Sequence, residues 1–167
     1  MKTLLTAGMI LVNASIASAQ TKEADHAGSY LCKLTASAGL RLDQQAQTWS
    51  PVIFDVRSQS ILMKIEATGQ TGSSTTHPEF GRYLVSFKDF GSDNAPLRCV
   101  SNYASTKFLD EVPISDGRID CRAFSSHYQV NLTDRKLQIM FDGGYMDDWK
   151  ENQDTPYVAV GMCEKVS

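Results

Sequence analysis

The chain has 167 residues, 42% of them apolar and 21% charged, with a formal net charge of −3. This balance belongs to a globular domain and excludes wholesale disorder. The acidity leaves no electrostatic footprint for nucleic acid.

The first twenty residues read MKTLLTAGMILVNASIASAQ. Lys2 is a short positive region, residues 4–12 are an apolar run, and Ala17-Ser18-Ala19 is a small-x-small cleavage site. Residues 1–19 are therefore expected to be a signal peptide cleaved after Ala19. Residues 20–167 are expected to be a single disulfide-bonded β domain, periplasmic or secreted, large enough to hold a real core. No later stretch reaches the 18 or so apolar residues that a transmembrane helix requires. The first cysteine, Cys32, lies well past the cut, so no lipid-bearing cysteine stands at the new N-terminus.

Beyond the leader, apolar and polar residues alternate with period two, the mark of half-buried strands. The first runs are Tyr30-Cys32-Leu34, Val52-Phe54-Val56, Ile61-Met63-Ile65 and Tyr83-Val85-Phe87. Residues 43–48 between the first two are polar and read as a short helix or a plain connection. Residues 69–77, rich in Gly, Ser and Thr, read as a mobile loop. After a loop at Gly91-Ser92-Asp93-Asn94, Leu97, Cys99 and Ser101 form the next run. Residues 105–112 break the alternation and predict one or two short helical turns, with Ser105 as cap and Pro113 as stop.

Asp116-Gly117 signals a two-residue hairpin, because that turn needs positive φ at its central positions. The strand that follows sets Ile119, Cys121 and Ala123 on one face and Arg118, Asp120 and Arg122 on the other. Phe124 continues the polar face and is expected in solvent. Tyr128-Val130-Leu132 and Leu137-Ile139-Phe141 follow, joined by a tight turn over 132–135. Gly143-Gly144 ends a strand or makes a bulge, and the last run, 157–163, is apolar on both faces. These runs predict an all-β fold, an antiparallel meander of 8–9 strands. A lipocalin- or avidin-like barrel is the preferred shape and a two-sheet sandwich the alternative.

Four cysteines in an exported chain imply two disulfides, and three pairings are open. The favoured set is Cys32–Cys163, which ties the first strand to the last and suits a closed sheet, with Cys99–Cys121 between neighbouring strands. No two cysteines have zinc-ligand spacing and His26, His77 and His127 stand singly, so no metal is expected.

The chain carries no Gly-x-Ser-x-Gly elbow, no His-Glu-x-x-His and no phosphate-binding glycine loop, so no enzyme and no cofactor are expected. Ser73, Ser74, His77 and Glu79 could form a hydrolase site only with rigid support that a flexible loop lacks. Asp142, Asp147 and Asp148 could hold calcium, but their spacing departs from the calcium-loop pattern. Both clusters read as solvated loops. Asn131-Leu132-Thr133 matches a glycosylation acceptor and reads as an ordinary hairpin.

Most of the aromatics are expected in the core. Trp49, Tyr145 and Trp149 fall outside the clean runs and, with His77, are the candidate ligand-binding residues. Loops 68–80 and 143–154 are expected to form one shared rim.

Tyr30-Leu31-Cys32-Lys33, Ala38-Gly39-Leu40, Trp49-Ser50-Pro51 and Gly161-Met162-Cys163 resemble small exported bacterial β-rich proteins of unknown function. That resemblance implies a single disulfide-bonded β domain and assigns no functional residue. The reading is an exported, non-enzymatic binding protein that holds a small apolar molecule or a partner protein at one rim. The alternative is an enzyme inhibitor or host-interaction protein that offers the 68–80 loop, with a hydrolase third. An interior packed by its own side chains would remove the small-molecule carrier.

Overall fold

A computed structural model describes residues 25–43, 45–77, 79–102, 110–142 and 155–167. In it the alternating runs become eleven antiparallel strands. They are β1 (Gly28–Asp43), β2 (Thr48–Phe54), β3 (Ser60–Gly72), β4 (Phe80–Asp89), β5 (Leu97–Arg98), β6 (Val100–Ser101), β7 (Val112–Ile114), β8 (Arg118–Ala123), β9 (Ser126–Asn131), β10 (Lys136–Phe141) and β11 (Tyr157–Lys165). The sheet runs β5-β4-β3-β1-β11-β10-β9-β8-β6, with β2 on β1 and β7 on β4.

The two ends of this path are consecutive in the chain, and that nearly closes the sheet into a barrel. Leu97 and Arg98 pair with β4, whereas Val100 and Ser101 pair with β8. β7 pairs with β4 at Gly81–Tyr83 and turns into β8 through the Ser115–Arg118 bridge. Both short segments therefore span the gap between β4 and β8. The expected meander is present in β8 to β11, and the barrel replaces the sandwich alternative.

Both favoured disulfides form. Cys32 and Cys163 face each other in register across β1 and β11. Cys99–Cys121 fastens the closing segment to β8. In a chain-entropy account, loops of 22 and 131 residues restrict the unfolded chain by about 3 and about 5 kcal/mol.

Alternation sends one set of side chains inward. Met63, Val85, Val112, Ile114 and the half-cystines Cys32, Cys99 and Cys121 are fully buried, and Phe87, Ile65, Ile119 and Leu137 nearly so. An eight-stave barrel is just wide enough for side chains to fill it. Here the staves are β1, β3, β4, the composite seam, β8, β9, β10 and β11, and the interior is a packed core. A bulge between Leu34 and Ala36 shifts the alternation, so that Ser37 faces inward. β1 crosses close over Gly161 at this bulge: a Cβ on Gly161 would lie 2.4 Å from the Lys33 carbonyl oxygen, which is why glycine stands in an otherwise apolar strand.

β2 is an edge strand, and Pro51 protects it. The Leu40 N–H donates to Pro156 O (3.1 Å), so Leu40 turns its backbone groups toward β11. Its register partner Pro51 then turns its own toward the free edge, where the missing N–H denies a neighbouring strand one of the two bonds it would make there.

Several expectations change. In place of a helix over 43–48, Asp43 and Thr48 pair as the last rung of β1 and β2, and residues 45–47 lie in the turn between them; Asp43 Oδ1 accepts from the N–H groups of Gln45 and Ala46 (2.9 Å each). Half of the expected mobile loop is strand, since Thr71 and Gly72 pair with Gly81 and Phe80 beyond a bulge at residues 67–71. No helix occurs among the described residues. Most of the expected helical turn at 105–112 lies outside them, and its last residue, Val112, opens β7. The residues expected to form a signal peptide, and Gly143-Gly144, expected to end a strand or make a bulge, also lie outside the described residues. No described helix is long and apolar enough to cross a membrane.

Candidate functional site

The barrel has two ends of different chemistry. The upper end holds the β8–β9 turn, the start of β3, the connection that follows β4 and the projecting β1–β2 hairpin. The lower end holds the β7–β8, β9–β10 and β3–β4 turns with the N-terminus of β1 and the C-terminus of β11.

At the upper end the β8–β9 connection has two residues, because Ala123 pairs with Ser126. The first, Phe124, has φ of +52°, a conformation that two-residue turns reserve for glycine or asparagine. Its side chain is 87% exposed. A bulky residue is strained there, and an exposed aromatic ring gains nothing from burial. Phe90 (65% exposed) and Leu97 (46%) stand at the same end.

Beneath them, Phe87 and Tyr128 stack across the interior with ring centroids 4.0 Å apart. With Ile61 and Leu97 they line a cleft of about 250 Å³, edged by Lys88, Asp89 and Asn94. Phe54 and Phe141 pack on the Tyr157 ring. Burial, reinforced by the charge of Asp89, pushes the Tyr128 and Tyr157 hydroxyls above their ordinary pKa, so both stay neutral.

The lower end is polar. The His77 Nδ1 lies 3.0 Å from Thr76 Oγ1, its backbone N–H donates to Ser74 Oγ (3.1 Å), and its Nε2 is 3.6 Å from Asp116 Oδ2. The serine thus meets the histidine backbone and not its ring, and both partners of the His77–Asp116 pair are open to water. Next to this group, a cleft of about 310 Å³ opens between Tyr30, Leu132, Thr133, Arg135 and Lys165.

A third cluster lies on the outer wall of β8 and β9. Asp120 accepts from His127 Nε2 (2.8 Å), from Gln129 Nε2 (3.1 Å) and from Asn102 Nδ2. Burial alone would raise the Asp120 carboxyl; these hydrogen bonds outweigh it and hold its pKa below the ordinary carboxylate range. The cluster uses the carboxylate to clasp Asn102, just past β6, onto the wall. No group of three metal-ligating side chains occurs among the described residues.

The candidate residues do not share one rim. Trp49 stands opposite Leu42 in the hairpin that extends past the end of β11, at the upper end. His77 lies at the lower end, near Asp116. Tyr145 and Trp149 lie outside the described residues. β10 ends at Phe141 and β11 begins at Tyr157, both at the upper end, so the connections 68–80 and 143–154 start from opposite ends and the expected shared rim is corrected. Phe124 was legible as an exposed residue at the end of its strand, which its 87% exposure bears out, and Arg135 only as a member of a turn. The spacing of the runs on either side leaves Phe124-Ser125 as a turn without glycine or asparagine, and that mismatch was the available signal. The Asp120 clasp needs the register of β8 against β9, which spacing does not give.

No family model, no curated protein and no solved structure matches this chain.

Proposed function

We propose that this is an exported, non-enzymatic protein that binds a partner protein through its upper rim, with Phe124 as the central anchor. One observation carries the reading: Phe124 sits in a left-handed turn position that disfavours it and exposes its ring to water. Neither feature helps the fold. Strain of this kind points from an observed outlier to a function, and exposed aromatics are the side chains that anchor interfaces.

The packed interior argues against a ligand carried inside the barrel. The upper cleft, about 250 Å³, is below the roughly 300–1,000 Å³ of small-molecule pockets. It is of a size to receive one bulky apolar side chain from a partner. The two buried disulfides support an oxidising destination, periplasmic or extracellular.

The test is capture from periplasmic and host extracts with three forms of the mature chain: wild type, Phe124→Gly and His77→Ala. The expected result is a partner held by wild type and His77→Ala and lost by Phe124→Gly. A partner held by Phe124→Gly and lost on deletion of residues 73–76 would move the function to the lower loop. Native mass spectrometry of the gently purified protein adds a second check: a co-purifying small molecule that survives in Phe124→Gly would revive the carrier.

A further inference from the structure

We infer that the lower mouth of the barrel is a binding site for a small organic carboxylate, independent of the partner surface at the upper rim. The first support is an outlier. Arg135 closes the β9–β10 turn with φ of +58°, a left-handed conformation that glycine adopts freely and a long side chain does not. The turn does not need arginine for its shape. Asn131 Oδ1 accepts from the Asp134 N–H (3.0 Å) and the Arg135 carbonyl accepts from the Cys163 N–H (2.8 Å), so backbone contacts and the asparagine hold it. Arg135 lines the cleft.

A second cationic residue, Lys165, lines the same cleft. Lys165 Nζ lies 5.8 Å from the centroid of the Tyr30 ring, within cation–π range. Its side chain crosses Gly28, where a Cβ would lie 2.6 Å from Lys165 Cε. The apolar part of the lining is Tyr30, Leu132 and Cys163. At about 310 Å³ the cleft is at the lower edge of small-molecule size. The Tyr30 hydroxyl donates to the His26 carbonyl (3.0 Å) and is not available to the ligand. Asp25 also lines the cleft, and its Oδ1 accepts from the Ala27 N–H (3.0 Å). Two cations in a partly apolar cleft select an anion with an apolar body, and a guanidinium is well shaped for a carboxylate.

The experiment titrates benzoate, and separately inorganic phosphate, into the isotope-labelled mature protein and follows backbone amides. Benzoate is expected to shift residues 131–135 and 163–165 saturably, with phosphate weaker. Arg135→Gly should weaken benzoate by about tenfold or more while the melting temperature holds or rises, which separates lost binding from lost folding. Lys165→Met should weaken it too, and Asp25→Asn should strengthen it. Shifts that do not saturate, shifts centred on Phe87 and Leu97, or unchanged affinity in Arg135→Gly would overturn the proposal. Phosphate binding as tight as benzoate would overturn the role of the apolar lining and with it the carboxylate assignment.

Discussion

The β8–β9 and β9–β10 turns lie at opposite ends of one strand and break the same rule with opposite chemistry. Each puts a large side chain into a left-handed position, Phe124 above and Arg135 below. The β7–β8 turn obeys the rule: its two left-handed residues are Asp116 and Gly117, as a type I′ turn asks. Phe124 and Arg135 thus mark where this fold carries cost that its own stability does not explain. One end gains an exposed aromatic, the other a cation in a partly apolar cleft. The packed core between them gives neither end a route to the other, so the two surfaces should fail separately.

The largest expected effect comes from removing the floor of the upper end. Phe87→Ala should cost about 3–5 kcal/mol, read by urea denaturation, because it deletes a buried ring and its stack on Tyr128. Amide exchange should rise at the upper end before the lower. Equal loss of protection at both ends would show that the ends are one cooperative unit.

The clasp on the outer wall comes next. Asp120→Asn should cost about 1–3 kcal/mol, since it weakens three hydrogen bonds that hold the seam. The folded carboxyl titrates below its unfolded value, so the contribution is full above about pH 4. It is lost as pH falls through the lower folded pKa, because the unfolded chain binds the proton more readily. Urea midpoints for wild type and Asp120→Asn should therefore converge on going from pH 6 to pH 2. A gap that does not change with pH would remove the carboxylate from this role.

The smallest effects separate the turns. Phe124→Gly should leave stability unchanged or raise it by up to about 1 kcal/mol, and Gly117→Ala should lower it by about 1 kcal/mol. Thermal melts of the two variants side by side give the sign. Destabilisation by Phe124→Gly would mean that the ring packs in the native protein, and the anchor reading would then lose its basis.

Much of the fold was legible because a barrel stave has one wet face and one dry face. Period two is written plainly in Ile119, Cys121 and Ala123, and both disulfides followed from asking which strands must meet. What failed was local. β7 has three residues and β5 and β6 have two each, too short for any period to show, and their pairing is imposed by the gap they fill. The tail of β3 reads as a loop by its glycines and becomes strand because β4 is there to pair with it.

The sites divide in the same way. The sequence by itself determined the all-β class, the inward residues, the Asp116-Gly117 turn and the absence of known catalytic motifs. Only the tertiary structure decided that Tyr30, Tyr83, Phe87 and Tyr128 are the described aromatics buried in the core, that His77 and Trp49 stand at opposite ends, and that Asp120 meets His127 and Asn102. The reason is physical. Alternation fixes which face of a strand a side chain takes, but the end of the barrel it reaches and its neighbours across strands depend on register, and register is set by closure of the whole sheet.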